Sequence, residues 1–498
     1  MPYKDVRRSN YRKRKKLRFR PLKPIPANRL RLTFSVLCFA LFALLGRMAW
    51  LQLYKGQLLE AEARENQTAM VKPLGSRRSI VDRQGRLVAV DETRFRLYAH
   101  PIQFKFPGDS KDKVRQPVEV ARALSVLLSI SVDELSKSLK GKDTGVKLVE
   151  GLSPEVAKKV RNLRINGLEL QPYAQRVYPQ NELFANVVGF LDYDRNAQAG
   201  LELSLNQILS RKEKTRQIRY GKDGTPLPND IKADVFVEDN TRLDLTIDTR
   251  LQEVAVNALK AQIKYWRADK GVAIVMNAHS GELLTLASTP SYNPNKFWEY
   301  SYNQNLYKEW SVQELFEPGS TFKPINLALA LQEGVITKDG SVYDTGVIDI
   351  GGWTLGNWNK QPNGLIDYPK VLELSSNIGM VKIMKKLDSY TYWEWLNRLG
   401  IEKELNTDLP GSVGGQMKAK QSFVEQPIYQ ATASFGQGFS ITPLKLIQLH
   451  ALLANGGRLV RPHVSKGFNY EHMLNSEKIA SNTQLLDPEV TKIVLSWM

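Results

Sequence analysis

The sequence predicts an α+β protein held to a membrane by one helix, and three stretches carry that prediction. Residues 32–46 are apolar or weakly polar throughout, and past Arg47 the run continues through Met48-Ala49-Trp50-Leu51-Gln52-Leu53-Tyr54 to membrane-spanning length. Two apolar runs, 271–276 and 282–287, flank the polar turn Asn277-Ala278-His279-Ser280-Gly281, which is the pattern of a β-hairpin. Glu317-Pro318-Gly319-Ser320-Thr321-Phe322-Lys323-Pro324 opens a third apolar run, 325–331, closed by Gly334, as a buried helix would be. A chain of 498 residues with 42% hydrophobic content can fill more than one core, so two domains outside the membrane are expected.

The first segment, residues 1–31, carries thirteen Lys or Arg against one acid, Asp5, so twelve of the nineteen excess positive charges precede the apolar run. The excess marks a tail rather than a basic protein surface, and nucleic acid is not an expected partner. Pro21, Pro24 and Pro26 break any helix, so the tail reads as disordered, with an attraction to anionic membrane lipid. For 32–53 the expectation is an uncleaved anchor, with Arg47 snorkelling and Trp50 and Tyr54 at the far interface. A cleaved signal peptide and a buried helix are the alternatives, but no small-x-small cleavage site follows the apolar core. The positive-inside rule leaves the N-terminus in the cytoplasm and the bulk of the chain outside, on an inner (plasma) membrane. Cys38, the sole cysteine, falls in the anchor, which excludes intrachain disulfides and cysteine-based metal sites or catalysis.

Beyond the anchor, residues 55–69 read as a polar helix, and 77–90 as two strand-like pieces around a turn at Asp82–Gly85. Residues 114–165 read as short helices, with Ser153 before Pro154 as a start signal. Gly221-Lys222-Asp223-Gly224-Thr225-Pro226 is a turn cluster after which the second domain begins. There 242–248 alternates like a strand and feeds an amphipathic helix from Leu251 to about Trp266. His279, in the hairpin turn, reads as a surface histidine.

Chemistry concentrates at Ser320 and Lys323. Residues at i and i+3 share a helix face, so the hydroxyl and the amine can come within hydrogen-bond reach. Serine needs such a base before its oxygen becomes nucleophilic. Pro324 is tolerable only in a first turn, which sets the helix start at about Ser320 and puts Oγ at the positive end of the dipole. Burial disfavours the charged amine and suits Lys323 to base chemistry near neutral pH. Alone, the pattern also fits a capping serine followed by a surface lysine, as Ser110-Lys111-Asp112-Lys113 does in a polar loop. Two further clusters follow it. Ser375-Ser376-Asn377 is a polar turn between apolar segments, and Phe435-Gly436-Gln437-Gly438 precedes Ile441-Thr442-Pro443-Leu444 and a helix ending at Asn455-Gly456-Gly457.

Ser-x-x-Lys, then Ser-x-Asn, then Gly-Gln-Gly, in this order and approximate spacing, resembles a class B penicillin-binding protein, and the short tail, single anchor and modest pedestal resemble the septal cell-division type. Arg77-Arg78-Ser79-Ile80-Val81-Asp82-Arg83-Gln84-Gly85 resembles the signature that opens the family's pedestal, with Arg78 where the signature has glycine. Arg176-Val177-Tyr178-Pro179, Val188-Gly189-Phe190 and Gly200-Leu201-Glu202 resemble further pedestal signatures, read here as structural. The resemblance implies a cytoplasmic tail (1–31), an anchor (32–53), a non-catalytic α+β pedestal of the dimerisation type (54–235) and a serine β-lactamase-like transpeptidase domain (236–498), an antiparallel sheet flanked by helices.

By the same resemblance the protein would be a D,D-transpeptidase that crosslinks peptidoglycan stem peptides and binds β-lactams. Ser320 would be the nucleophile, Lys323 its base and Ser375 the proton relay, with Asn377, Gly436, Gln437 and Gly438 contacting substrate. No metal and no organic cofactor is implied; the partners would be a membrane glycosyltransferase and other division proteins. The family's Lys-Thr-Gly motif is not met before Met498, since Lys142-Asp143-Thr144-Gly145 has an inserted Asp and lies in the pedestal. The expectation is therefore a domain whose distal strands are missing from this sequence, with a non-catalytic division scaffold as the rival.

Overall fold

The computed structural model describes residues 27–56, 58–59, 68–71, 77–110, 113–211, 216–219, 241–468 and 483–498. The tail before residue 27, the turn cluster at 221–226 and the domain boundary at 235/236 lie outside them. The chain forms two compact units, residues 1–71 with 215–237 and residues 72–214 with 238–498.

In the first unit α1 (Ala27–Leu53) is 27 residues, about 40 Å of helix, long and apolar enough over Asn28–Leu53 to cross a membrane. Its C-terminal end carries the anchoring groups expected there: Trp50 stacks on Tyr54, and Arg47 and Lys55 lie over the Trp50 ring. The helix expected to reach Ala69 gives way by Thr68, where β1 (Thr68–Val71) pairs antiparallel with β6 (Arg216–Arg219).

In the second unit β2 (Ile80–Val81), β3 (Leu87–Ala99), β4 (Val146–Leu152), β5 (Leu168–Val177), β7 (Leu243–Leu245) and a late strand, Ser465–Phe468, make one six-stranded sheet. Its order runs from the late strand through β7, β2 and β3 to β4, with β5 also on β3 and β2 parallel to β7. The segments on either side of the expected domain boundary thus share a sheet, and Ile80, Ala89, Leu243 and Leu245, all 0% exposed, share its core. At the far end α2 (Pro117–Leu128), α3 (Val132–Leu139) and α4 (Pro154–Asn162) enclose a separate core with Leu97, Phe104 and Val146. Ser153 caps α4 through Val156 N–H (3.3 Å), as its place before Pro154 predicts.

The pedestal signatures are structural. Glu202, 0% exposed, takes Arg77 Nε at 2.5 Å and Arg176 Nε at 2.7 Å, while Asp91 takes Arg176 and Arg195. Charges this deep hold only as a closed set, because each removed partner strands another. Gly189 and Gly200 cross so closely that a Cβ on Gly189 would meet Ala199 O at 1.8 Å. Arg78, in the glycine position, is not among the positive-φ residues, so its side chain brings no backbone strain.

The hairpin forms as expected from β8 (Gly271–Met276) and β9 (Leu283–Thr289), with His279 exposed in its turn. The amphipathic helix α5 (Thr249–Trp266) is held to β9 by Gln252, which accepts from Leu286 N–H (3.0 Å) and donates to Leu286 O (2.8 Å). In a further core lies α6 (Lys323–Gln332), buried from Lys323 to Ala330. It ends at Gly334, whose left-handed φ of 68° lets Gly334 N–H reach Leu331 O (3.0 Å) and Val335 N–H reach Ala330 O (3.1 Å). Two small two-stranded sheets, β10 (Ser341–Asp344) with β13 (Gly364–Asp367) and β11 (Val347–Ile350) with β12 (Trp353–Gly356), precede α7 (Tyr368–Glu373) and α8 (Asn377–Met384). Helices α9 (Ser389–Arg398), α10 (Pro443–Ala454) and α11 (Pro488–Trp497) complete the core around α6.

Candidate active site

Ser320 sits in a 3₁₀ turn, Gly319–Phe322, that runs directly into α6. The α-helix therefore starts at Lys323, three residues later than expected, because the turn is tightened by Lys323 N–H bonding Ser320 O and by Thr321 Oγ donating to Pro318 O (2.6 Å). Pro324 falls in the first turn of α6, where no backbone donor is lost. The result leaves Ser320 exposed while Lys323 is 1% exposed.

The Gly-Gln-Gly loop straps this turn from the other side. Gly319 N–H donates to Gly436 O (2.8 Å), Gly438 N–H donates to Glu317 Oε1 (2.8 Å), and Phe316 and Ile441 exchange two backbone bonds at 3.0 Å. A Cβ on Gly436 would stand 2.0 Å from Gly319 O, so only glycine permits the approach. Gln437 is exposed between the two glycines. Further support comes from Asn326, 0% exposed on α6, which donates to Ala433 O (3.0 Å) and Ser434 O (2.8 Å) and accepts from Tyr392 OH (2.9 Å). His450 on α10 reaches Thr321 O through Nε2 (2.9 Å); burial pushes the imidazole down toward its neutral form, and a carbonyl partner makes Nε2 the protonated nitrogen.

Ser375 and Asn377 reach the same place through a helix-to-helix junction. Ser375 N–H bonds Leu372 O (3.0 Å) and Ser376 N–H bonds Val371 O (2.9 Å), a Schellman ending for α7 with Ser375 in the left-handed region at φ 51°. That conformation costs a non-glycine residue about 1–2 kcal/mol and has to be held from outside. Ser376 then caps α8 by accepting from Gly379 N–H (2.8 Å). The two bends aim three oxygens at Lys323: Nζ donates to Ser375 O (2.6 Å), Ser375 Oγ (3.0 Å) and Asn377 Oδ1 (2.8 Å).

Among the described residues Ser320 Oγ has no hydrogen bond, so the expected Ser320–Lys323 contact is not made. Three acceptors, one of them a main-chain carbonyl, hold the amine more firmly than one exposed hydroxyl can. Burial pushes Lys323 down to about 8, which leaves about a tenth of it neutral at pH 7. In the neutral form two N–H bonds can stay on the carbonyl oxygens while the lone pair faces a hydroxyl. The arrangement is thus an exposed hydroxyl at a helix start, a buried amine one turn on, and a second hydroxyl 3.0 Å from that amine, the groups that serine acyl transfer needs.

Sequence reasoning missed four participants: Glu317, His450, Asp344 and Asn357. Asn357 Oδ1 accepts from Asn377 N–H (2.9 Å) and Ile378 N–H (3.2 Å), and Asp344 Oδ2 accepts from Ser376 Oγ (2.6 Å). Nothing local in the sequence places Asp344 or Asn357 behind Ser375. Lys142–Gly145 lies in the turn before β4, where Thr144 meets His100.

Residues 271–494 match the family model described as the penicillin-binding protein transpeptidase domain, and residues 73–235 match the penicillin-binding protein dimerisation domain. The chain is 35% identical to the peptidoglycan D,D-transpeptidase FtsI homolog of Chlorokybus atmophyticus, over 88% of its own length and 65% of that protein. It is 33% identical to the homolog of the same name from Mesostigma viride, over 91% and 78% of the two lengths. It is 30% identical to peptidoglycan D,D-transpeptidase FtsI of Escherichia coli K12, over 88% and 73%. Its fold is like that of penicillin-binding protein 2X from Streptococcus thermophilus, with a TM-score of 0.67 at 20% identity, over 86% of this chain and 66% of that one.

Proposed function

The chain belongs to the penicillin-binding protein family that includes the FtsI-type peptidoglycan D,D-transpeptidases, and we propose that it crosslinks peptidoglycan stem peptides through a serine acyl-enzyme during septal wall synthesis. The observation that carries this is the placing of a buried amine, Lys323, against Ser375 Oγ and Asn377 Oδ1 one turn after an exposed Ser320. Neutral Lys323 takes the proton from Ser320 Oγ as that oxygen bonds to the carbonyl carbon of the penultimate D-Ala. The C–N bond to the terminal D-Ala breaks, and Ser375 passes a proton from Lys323 to the departing amine; the 3.0 Å contact is its route. The amine of a neighbouring stem then attacks the ester, its spare proton returns to Ser320 Oγ, and the crosslink leaves. Ser320 N–H meets the oxyanion, a donor worth about 3 kcal/mol.

Asn377 has one amide N–H on Gly356 O (3.0 Å) and one oxygen lone pair on Lys323, which leaves a donor and an acceptor for a substrate amide. Gln437 supplies a second contact, while Gly436 and Gly438 act through the Ser320 turn. The α1 helix is the single-pass anchor, with the N-terminus cytoplasmic, in the inner (plasma) membrane. Residues 54–235 form the pedestal and 236–498 the transpeptidase domain, working beside a membrane glycosyltransferase and other division proteins. The test is covalent labelling of the full-length protein with a fluorescent penicillin, whose strained amide meets the same nucleophile. One adduct is expected, on the peptide containing Ser320, and none in Ser320→Ala; an adduct that survives in Ser320→Ala overturns the assignment.

A further inference from the structure

Asp344 is 0% exposed at the end of β10, and no ion pair among the described residues includes it. Its carboxylate is instead surrounded by donors. Gly346 N–H (2.7 Å) and Asn357 Nδ2 (3.0 Å) bond Oδ1, while Asn357 Nδ2 (2.8 Å), Asn363 Nδ2 (2.5 Å) and Ser376 Oγ (2.6 Å) bond Oδ2. Burial alone would raise this carboxyl, but the bonds from Ser376, Gly346, Asn357 and Asn363 outweigh it and hold the group below the usual range. It is therefore acceptor-only, and that fixes its neighbours. Asn357 must turn its amide nitrogen to Asp344, so its oxygen faces the other way, where it receives Asn377 N–H and Ile378 N–H. Ser376 must spend its hydroxyl proton on Asp344, so its lone pairs face the α8 start and accept Gly379 N–H.

Both chains of polarity end on the junction that carries Ser375 and Asn377. Ser375 is left-handed at a cost that its own C-cap bonds do not remove, and the residues on its C-terminal side are the ones Asp344 and Asn357 hold. We infer that Asp344, acting through Asn357 and Ser376, is the positioning residue that holds Ser375 and Asn377 against Lys323. It touches neither substrate nor Lys323. Its role is to orient two side-chain dipoles so that the junction has one conformation, and the ionised carboxylate is needed because no neutral group accepts from that many donors. The inference rests on the assignment of Ser320 and Lys323 as nucleophile and base.

The experiment compares full-length wild type, Asp344→Asn, Ser376→Ala and the exchange Asp344→Asn with Asn357→Asp. For each, the binding constant for the penicillin encounter complex is separated from the acylation rate constant, and amide hydrogen exchange is followed over 375–380. In Asp344→Asn the new amide would face the nitrogens of Asn357 and Asn363, and acylation should fall about 100-fold, the scale of a catalytic group displaced by about 1 Å. The encounter constant should stay within about threefold, and the amides of Asn377 and Ile378 should exchange faster. Ser376→Ala, which removes one donor, should show the same pattern at about tenfold. The exchange variant returns one carboxylate and one amide to the pair, with the carboxylate now at position 357 receiving the α8 amides, and should recover at least about tenfold over Asp344→Asn. The inference is overturned if both Asp344→Asn and Ser376→Ala acylate within about threefold of wild type. It is overturned equally if acylation falls while exchange over 375–380 is unchanged, or if the exchange variant recovers nothing. Failure of wild type to label at Ser320 would instead remove the proposed function, and the exchange rates would still report on Asp344.

Discussion

If neutral Lys323 is the base, acylation must follow its deprotonation, and the structure sets where. Burial alone moves the amine from 10.5 to about 8, with no charged neighbour among the causes. The neutral fraction is then about 9% at pH 7, about 50% at pH 8 and about 91% at pH 9. Acylation by a non-titrating β-lactam should rise about fivefold from pH 7 to 8, less than twofold from 8 to 9, and level off. A lysine left at its ordinary value would give a tenfold rise per unit through pH 9 with no bend. Lys445 is also pushed down to about 8, by burial first and by Lys403, but it makes no contact with the site, so Lys445→Met should keep the bend. Stability supplies a second readout. The folded pKa lies below the unfolded one, so the unfolded chain binds the extra proton between about pH 8 and 10.5 and wild type gains stability as pH rises through that window. Relative to Lys323→Met the gain should total about 3 kcal/mol, since each unit is worth about 1.4. Stopped-flow acylation from pH 6 to 10, with denaturant titrations of both proteins, measures both. A rate that climbs without a bend beyond pH 9, or a bend that vanishes in Lys445→Met, would refute the assignment of Lys323 as a desolvated base.

Gly436→Ala should fold but acylate at least about 100-fold more slowly, because its Cβ would displace Gly319 O and the Ser320 turn with it; labelling kinetics alongside a melting curve check this. Glu202→Ala should destabilise the protein by about 3–5 kcal/mol, since it removes the buried carboxylate that pairs with Arg77 and leaves Arg176 with Asp91 alone, and the loss should appear in denaturant midpoints. Asn326→Leu should cost about 3 kcal/mol by leaving Tyr392 OH and Ser434 O unpaired in the interior, with a matching loss of thermal stability. A reporter fused after Lys55 should be active outside the cytoplasm and one fused before Arg29 inside; a soluble, N-terminally processed product would show a cleaved signal instead.

Much of the architecture was legible because it depends on neighbours in sequence. The α1 helix, the hairpin at 271–289 and the fully buried α6 follow from runs of like side chains whose period a single segment reveals. Gly334, Ser153 and Pro324 mark helix ends at the residues where their backbones and side chains act. The identities of Ser320, Lys323, Ser375 and Asn377 were legible for a different reason: their order and spacing repeat a family pattern, which says which residues meet but not how.

How they meet was decided by tertiary structure. The i,i+3 spacing says only that Lys323 can come within reach of Ser320; Lys323 bonds Ser375 and Asn377 because a junction more than fifty residues away presents a better set of acceptors. The spacing of the third cluster gives no sign that Gly436 packs its backbone against the carbonyl of Gly319, where a Cβ has no room. Asp344 and Asn357 carried no local sign of importance, since a buried carboxylate is recognised only by the donors around it, and those come from three separate segments: the turn after β10, the loop between β12 and β13, and the junction of α7 and α8. Likewise β2 and β7 lie side by side although about 160 residues separate them. Periodicity and propensity act over one or two turns of chain, so the sequence by itself determined the elements and the chemical groups they carry. Hydrogen-bond direction, burial and the resulting pKa depend on groups that only folding brings together, and these were settled by the tertiary structure alone.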